Sequence, residues 1–331
     1  RRGTTATGLD LATRTVRVDA GEDVHFDGVI LATGAAARRL PGQPEWHGIH
    51  VLRTLEDSIS LRTDLREGAK VVVIGAGFIG LEVAATARAR NCHVTVLEGA
   101  PAPMMRGLGA EMGRAAALVH GDHGVDLRLG VSVAGLREGA VGRVGSVELS
   151  SGERIVADVV VVGVGAAPAT RWLDDSGLTV RDGVVCDEFL NTGTPRIYAA
   201  GDVCRWMNPL YDEEMRVEHW TTASEQGAAA ARNLLAEAQG TERIPYAAVP
   251  FFWSDQFSAR IQFLGRARDE DRARIVLGSP EDRSFLALYE RAGVLVAALG
   301  VNRPRQLMPL RALIARRATS GEADEFIASL S

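Results

Sequence analysis

The sequence predicts an α/β protein made of two Rossmann-like nucleotide-binding domains, the first truncated at its N-terminus and the second inserted into it, plus a C-terminal α+β domain. Three observations predict this. The apolar run Val71-Val72-Val73-Ile74 breaks into the turn Gly75-Ala76-Gly77-Phe78-Ile79-Gly80 and then into a helical pattern. An earlier stretch, 3–34, repeats the residue order of 130–165. Past Gly240 the alternation of strands and helices gives way to successive β-branched and aromatic runs.

In chain order, 3–34 alternates short strand patterns with turns: 13–18, a turn at Ala20-Gly21, then Asp27-Gly28-Val29-Ile30-Leu31-Ala32-Thr33-Gly34. Gly3 and Gly8-Leu9 match Gly130 and Gly135-Leu136, while Asp27, Val29 and Gly34 match Asp158, Val160 and Gly165. This is the signature of an internal duplication. In the second copy a strand, a glycine turn and a helix, beginning at the Gly75 turn, precede the meander that opens at Gly130. The first copy has no such unit ahead of it. The chain is therefore expected to start in mid-domain, lacking a first glycine-rich loop and at least the stretch that separates Gly75 from Gly130, about 55 residues. A complete, free-standing meander at 3–34 is the alternative, but it would bury too little to be stable alone.

A helix is predicted over 54–65, with Thr54 and Asp57 as a capping box. The strand from Lys70 to Ile74 reads as buried and parallel, and Leu81, Val83, Ala84 and Ala87 give the next helix an apolar face. Gly75 allows the tight turn, Gly77 the approach of backbone to a pyrophosphate, and Gly80 close packing of helix on strand. The following strand ends in Glu98, close to the spacing of about 20 residues at which a dinucleotide fold places its ribose-binding acid. A carboxylate there accepts hydrogen bonds from the adenosine ribose hydroxyls and repels a 2′-phosphate, which favours NAD over NADP. Farther on, the pattern predicts a strand at 196–200 ending in Gly201-Asp202-Val203, an irregular stretch over 206–217, and a helix over 223–238 with Thr222 and Glu225 as a second capping box. Strands at 260–264, 274–277, 285–289 and 295–299 and a basic helix at 305–317 complete the chain. The expected domains are 1–66 and 186–245 as two segments of the first, 67–185 as the second, and 246–331 as the third.

Composition narrows the function. At 331 residues with 46% hydrophobic residues, the chain can form a large core, and a net charge of −5 argues against a general nucleic-acid binder. No apolar stretch is long enough for a membrane-spanning helix and no signal peptide is legible, so the expected compartment is the cytoplasm. Cys92, Cys186 and Cys204 form no Cys-x-x-Cys pair, which suggests neither a disulfide framework nor a cysteine zinc site. His120 and His123 are spaced i, i+3, but the surrounding glycines and Asp122 predict an exposed turn, so no metal is expected.

Six motifs taken together resemble a known family: Ala32-Thr33-Gly34, the Gly75 to Gly80 turn, Val162-Gly163-Val164-Gly165, Tyr198-Ala199-Ala200-Gly201-Asp202-Val203, Glu218-His219-Trp220 and Phe252-Trp253-Ser254-Asp255-Gln256. They are similar to those of the FAD-dependent pyridine nucleotide-disulfide oxidoreductases, in the ferredoxin (putidaredoxin and rubredoxin) reductase branch. The resemblance spans the whole chain and implies an FAD domain, an inserted NAD domain and a further N-terminal segment of roughly 75 residues.

The resemblance also implies roles. Asp202, with Gly201 and Val203, would hold a flavin ribitol hydroxyl. Thr33, Gly34 and Arg38 match the flavin-contacting segment, although Ala35-Ala36-Ala37 alters its spacing and leaves Arg38 and Arg39 as alternatives. Glu218, His219 and Trp220 would precede a helix whose N-terminal charge stabilises a reduced flavin; for Trp220 core packing is the alternative. On the NAD side, Phe78, Ile79 and Glu82 join the glycines and Glu98. Glu82, read as lying on the first helical turn, would reach the nicotinamide carboxamide. Phe78 would cover the flavin or the nicotinamide, or simply pack the helix on the sheet. Gly163 and Gly165 would form a second close-approach loop, and Trp253 would lie near the isoalloxazine.

The implied activity is transfer of electrons from NADH through FAD to a one-electron iron–sulfur carrier of an oxygenase or P450 system. That ferredoxin-type partner would dock near Arg305, Arg311 and Arg316, residues whose bland reading is a solvated basic face. No nucleic-acid or membrane partner is expected, and the protein would be a monomer or homodimer. Two alternatives remain: an NADH-binding interaction protein like the apoptosis-inducing factors, and a disulfide or quinone reductase of the same superfamily. The glutathione-reductase-like form uses a histidine in its last domain, and no histidine follows His219.

Overall fold

The doubled pattern folds as two meanders of one design. In the computed structural model, which describes residues 1–329, Ala6–Asp10, Thr15–Val18 and Asp23–His25 form one antiparallel sheet. Val133–Glu138, Val144–Leu149 and Arg154–Val156 form the other. The first strand of each carries a register shift at the same place, between Ala6 and Gly8 and between Val133 and Gly135. A bulge there bends the strand, and the repeated glycine sits where it does so. Each meander leads into a parallel strand, Val29–Leu31 or Val159–Val162, which ends toward a glycine with φ of 70° (Gly34) or 100° (Gly165).

The chain divides into two compact units. One comprises Arg1–Ala36 with Ala167–Phe252, the other Ala37–Ala166 with Trp253–Ser331.

The first unit centres on the pair Ile197–Ala199 and Val29–Leu31, which are parallel. Against it packs the helix Trp220–Gln239, burying Ala229, Ala230 and Asn233. That helix starts before the predicted 223. Its N-cap is His219 with no side-chain hydrogen bond, so the expected capping box does not form. Thr222 is buried inside the helix, and Glu225 accepts a hydrogen bond from the Tyr246 hydroxyl (2.9 Å). The stretch 206–217, expected to be irregular, instead contributes to the antiparallel hairpin Cys204–Asn208 and Glu213–Met215, added in parallel to Val184–Cys186. Cys204, Trp206 and Asn208 alternate inward, a period-two signal obscured by the turn residues around Pro209.

In the second unit a five-stranded parallel sheet runs in the order Ile49–His50, Val159–Val162, Lys70–Ile74, His93–Glu98, Asp126–Leu129. Its centre is a continuous apolar run because both faces are covered. The helix Phe78–Ala89 buries Leu81, Val83, Ala84 and Ala87 on it. It lies so close that a Cβ on Gly80 would fall 2.0 Å from the Gly75 carbonyl oxygen. Before the sheet, Leu55–Asp64 is a helix with the Thr54 and Asp57 capping box complete. The C-terminal part is an antiparallel sheet in the order Phe251–Gln256, Ala259–Gly265, Val294–Val301, Ser284–Arg291, Arg272–Ser279. The basic helix expected at 305–317 is two short helices, Pro304–Leu307 and Leu310–Ala315. Pro309 divides them, since it has no N–H to continue the ladder. A third helix, Ser320–Ala328, follows with a Thr319 and Glu322 capping box.

Candidate functional site

The glycine turn and the Val162-Gly163-Val164-Gly165 loop meet at the ends of adjacent parallel strands, the edge where ligands bind in α/β sheets. Gly75 has φ of 106°, and a Cβ on it would lie 2.4 Å from the Gly163 carbonyl oxygen. Nothing lies within 4 Å of the position a Cβ on Gly77 would take. The helix Phe78–Ala89 begins with no capping side chain and no acidic residue in its first turn. The helix's own N-cap and first turn thus leave its positive N-terminal end free to favour an anion. Ile79 is exposed there, while the Phe78 ring lies where a Cβ on Gly107 would approach it to 2.8 Å. Helix packing thus accounts for part of the Phe78 surface.

Glu98 does more than its spacing suggests. One carboxylate oxygen accepts from the Ala76 N–H (2.7 Å) inside the glycine turn, the other from the Ala100 N–H (2.8 Å). It braces the loop, and a carboxylate's roughly four lone-pair sites leave acceptor capacity for ribose hydroxyls. The cradle, the uncapped helix and this acceptor together fit the pyrophosphate and ribose of a dinucleotide.

Glu82 is the fifth residue of its helix and so lies one turn in, not on the first turn. It is half-buried, and its Oε1 accepts from the Ser254 hydroxyl (2.5 Å). Burial, and secondarily the Asp255 charge, raise its carboxyl above the ordinary range despite the Ser254 bond. Trp253 is 39% exposed at the start of this strand, whereas Ser254 and Gln256 point inward. Gln256 bonds in turn to His120. The expected exposed turn at His120 is wrong: His120 is fully buried on the helix Ala110–Asp122, because that helix persists through Gly113 and Gly121. At Gly113 a Cβ would fall 2.1 Å from the Pro103 carbonyl oxygen, so glycine there serves close packing. Burial holds the His120 ring below the usual imidazole range. Arg38 donates from its backbone N–H to the Gly165 carbonyl (2.9 Å) and from its guanidinium to the Ala166 carbonyl (2.8 Å), while Arg39 pairs with Glu45.

In the first unit, the Thr33 hydroxyl donates to the Ala169 carbonyl (2.9 Å), and the Gly34 carbonyl accepts from the Ala169 N–H (2.9 Å). Gly201, Asp202 and Val203 form a 3-10 turn entered at Gly201 with φ of 74°. The Gly201 N–H donates to Gln226 Oε1 (2.8 Å), whose Nε2 is a buried donor with no partner among the described residues. Arg216 ties the turn down: its guanidinium donates to the Asp202 carbonyl (3.1 Å) and Glu218 (2.8 Å), and it pairs with Asp182. Trp220 is 76% exposed as the first residue of its helix, which removes the core-packing alternative. His219 packs against Phe252, with ring centroids 4.8 Å apart. A large exposed indole, an uncapped helix start and an unsatisfied buried amide suit a large, partly aromatic, electron-rich ligand.

Sequence reasoning missed Arg216, Gln226 and His120 as members of these clusters, and it singled out Ser254 and Gln256 only as part of the 252–256 motif, without a role. All three cysteines are free and buried. Among the described residues there is no cluster of three or more His, Cys, Asp or Glu able to hold a metal, and no helix long and apolar enough to cross a membrane.

Comparison with known proteins agrees with this geometry. Residues 1–227 match the family "Pyridine nucleotide-disulphide oxidoreductase", and residues 251–326 match "Reductase C-terminal". The ferredoxin–NAD(+) reductase component of the anthranilate 1,2-dioxygenase system of Burkholderia cepacia is 36% identical, over 96% of this chain and 77% of its own. Rhodocoxin reductase of Rhodococcus erythropolis is 38% identical, over 88% of this chain and 67% of its own. Among solved structures, the covalent putidaredoxin reductase–putidaredoxin complex superposes with a TM-score of 0.90 at 31% identity, covering 99% of this chain and 80% of that one.

Proposed function

Because the chain belongs to the pyridine nucleotide-disulphide oxidoreductase family and carries a reductase C-terminal domain, we propose that it is an NADH-dependent, FAD-containing reductase of a ferredoxin-type iron–sulfur protein. The observation that carries the donor half is Glu98, placed at the glycine turn with both oxygens on backbone N–H groups. A 2′-phosphate would meet that carboxylate as a like charge, so NADH is preferred over NADPH. The acceptor half rests on relatives that are ferredoxin–NAD(+) reductases of oxygenase systems.

Bound flavin supplies the ability to take a hydride and release electrons one at a time. The chain's own residues bind and orient. Gly75, Gly77, Phe78, Ile79 and Gly80 receive the pyrophosphate of NADH, Gly163 and Gly165 border it, and Glu82 accepts from the nicotinamide carboxamide. Gly201, Asp202 and Val203, with Thr33, Gly34 and Arg38, hold the FAD. Glu218, His219 and Trp220 bring a helix N-terminus to it, and Trp253 covers the ring system. On this reading 1–66 and 186–245 serve FAD, 67–185 serves NADH and 246–331 is the third domain, a division by cofactor that groups the chain differently from its compact units. A ferredoxin-type partner docks near Arg305, Arg311 and Arg316, and a cytoplasmic location belongs to the same reading.

The disulfide-reductase alternative has less support, since residues 251–326 match "Reductase C-terminal" and contain no histidine to act as acid and base. The test is anaerobic titration of the purified flavoprotein with NADH and with NADPH, followed by a 2Fe–2S ferredoxin as acceptor. Bleaching of the flavin band by NADH and onward reduction of the ferredoxin are expected. Absence of flavin, or faster bleaching by NADPH, overturns the proposal.

A further inference from the structure

The buried polar side chains behind Glu82 form a chain with a direction. His120 Nε2 lies 2.8 Å from Gln256 Oε1, Gln256 Nε2 lies 3.0 Å from Ser254 Oγ, and Ser254 Oγ lies 2.5 Å from Glu82 Oε1. An amide oxygen only accepts, so His120 carries its proton on Nε2 and donates to Gln256. The Gln256 amide N–H donates to Ser254, whose single hydroxyl proton is thereby directed to the carboxylate, an obligate acceptor when ionised. All three bonds donate toward Glu82, while the Gln256 amide also donates to Met104 Sδ (3.8 Å), which helps hold it in place. The other imidazole nitrogen, Nδ1, is buried and has no hydrogen-bond partner among the described residues, which suits a neutral ring.

Packing alone does not explain this chain. Ser254, Gln256 and His120 are 1%, 0% and 0% exposed, and at such sites apolar side chains of similar shape serve a core about equally well. The series terminates on a half-buried carboxylate one turn into the glycine-loop helix. Glu82 Oε1 is occupied by Ser254, the Asp255 backbone also bonds the carboxylate, and of its roughly four lone-pair sites others remain for a donor. Its orientation is set by the serine, the serine's by the glutamine, and the glutamine's by the histidine.

We propose that Ser254, Gln256 and His120 are positioning residues that fix Glu82 as a pure acceptor, and that this is what selects a ring-3 carboxamide over a ring-3 carboxylate on the incoming pyridine dinucleotide. The proposal rests on Glu82 facing the nicotinamide, as in the function above, and adds the device that aims it. A carboxamide offers two N–H donors, whereas a carboxylate offers none and meets Glu82 as a like charge. A site built to receive a donor rejects the analogue lacking it far more strongly than a site of merely matching shape.

The test is equilibrium binding to the purified full chain of three compounds: NAD+, its nicotinic-acid counterpart with a ring-3 carboxylate, and ADP-ribose, which lacks the ring. The unmodified protein is expected to prefer NAD+ over the carboxylate analogue by at least about tenfold, the scale of one lost hydrogen bond plus like-charge repulsion. Ser254→Ala and Gln256→Met are each expected to reduce that preference to about threefold or less while ADP-ribose affinity stays constant. Because the groups act in series, the double variant loses no more than either single one. Ser254→Cys, which keeps a weak donor in nearly the same volume, retains an intermediate preference. Constant ADP-ribose binding also shows that a variant is folded. If ADP-ribose binds and the preference is the same in Ser254→Ala, Gln256→Met and the unmodified protein, the positioning role is overturned. If ADP-ribose fails to bind the unmodified protein, the dinucleotide reading itself falls, and with it this one.

Discussion

Glu98 braces the glycine turn through two backbone N–H groups, and the proposed function gives the same side chain a part in recognition. Its position was legible from spacing, because a strand that follows a glycine turn and helix must end beside the turn. Its grip on the Ala76 and Ala100 N–H groups was not, since backbone donors carry no mark in sequence. Glu98→Ala is expected to weaken NADH binding by about tenfold or more and to narrow the preference over NADPH, as measured by titration. It should also lower unfolding stability in denaturant by roughly 1–3 kcal/mol, because two loop N–H groups lose their acceptor. An unchanged NADH/NADPH ratio would show that the acid serves the loop alone. Arg216 and Gln226 mark the opposite limit. Both brace the Gly201-Asp202-Val203 turn from elsewhere in the sequence, and nothing local distinguishes them from any exposed arginine or helical glutamine.

Helix ends show why some signals hold and others fail. Thr54 with Asp57 forms the predicted box because the helix starts at Leu55, so the Asp57 N–H reaches the Thr54 hydroxyl and the Asp57 carboxylate reaches the Thr54 N–H. Thr222 with Glu225 has the same spacing, but its helix extends back to Trp220, leaving Thr222 inside and buried. The last helix, Ser320–Ala328, has a working box whose Glu322 is held down to about 2, first by the Arg316 guanidinium and then by the Thr319 N–H and hydroxyl. Its folded value lies below the ordinary 4.5, so the ionised form is the one the fold favours. Its stabilisation is present above about 4.5 and is lost as pH falls toward about 2. Fraying of this helix, followed by amide exchange at its first turns, should therefore rise across that acid window. Glu322→Gln, which keeps an acceptor for the Thr319 N–H but has no carboxyl to titrate, should show no such change across the same window.

For the molecule as a whole, an overall charge of −5 coexists with arginines concentrated near the C-terminus. A net negative protein approaches an acidic partner productively only where its local field is positive. Arg316 is already paired with Glu322, so Arg305, which is exposed, has more of its charge available. Arg305→Glu is expected to lower kcat/KM for an acidic 2Fe–2S ferredoxin about three- to tenfold at low ionic strength, with the difference fading by about 0.5 M salt. Reduction of the flavin by NADH should be untouched. A loss that persists at high salt would point away from steering.

The repeated meander, the parallel sheet with its glycine turn and the antiparallel C-terminal strands were all written in local pattern. Bulge glycines, β-branched runs and period-two alternation are imposed by near neighbours along the chain, so they survive in a bare string of residues. The hairpin at Cys204–Asn208 and Glu213–Met215, the buried His120 and the series from it to Glu82 depended on the folded chain. His120 and Gln256 are separated by 136 positions, and Ser254 and Glu82 by 172. A hydrogen bond between such residues is decided by which buried groups must find partners once water is excluded, and that is settled only when the helices and sheets have packed.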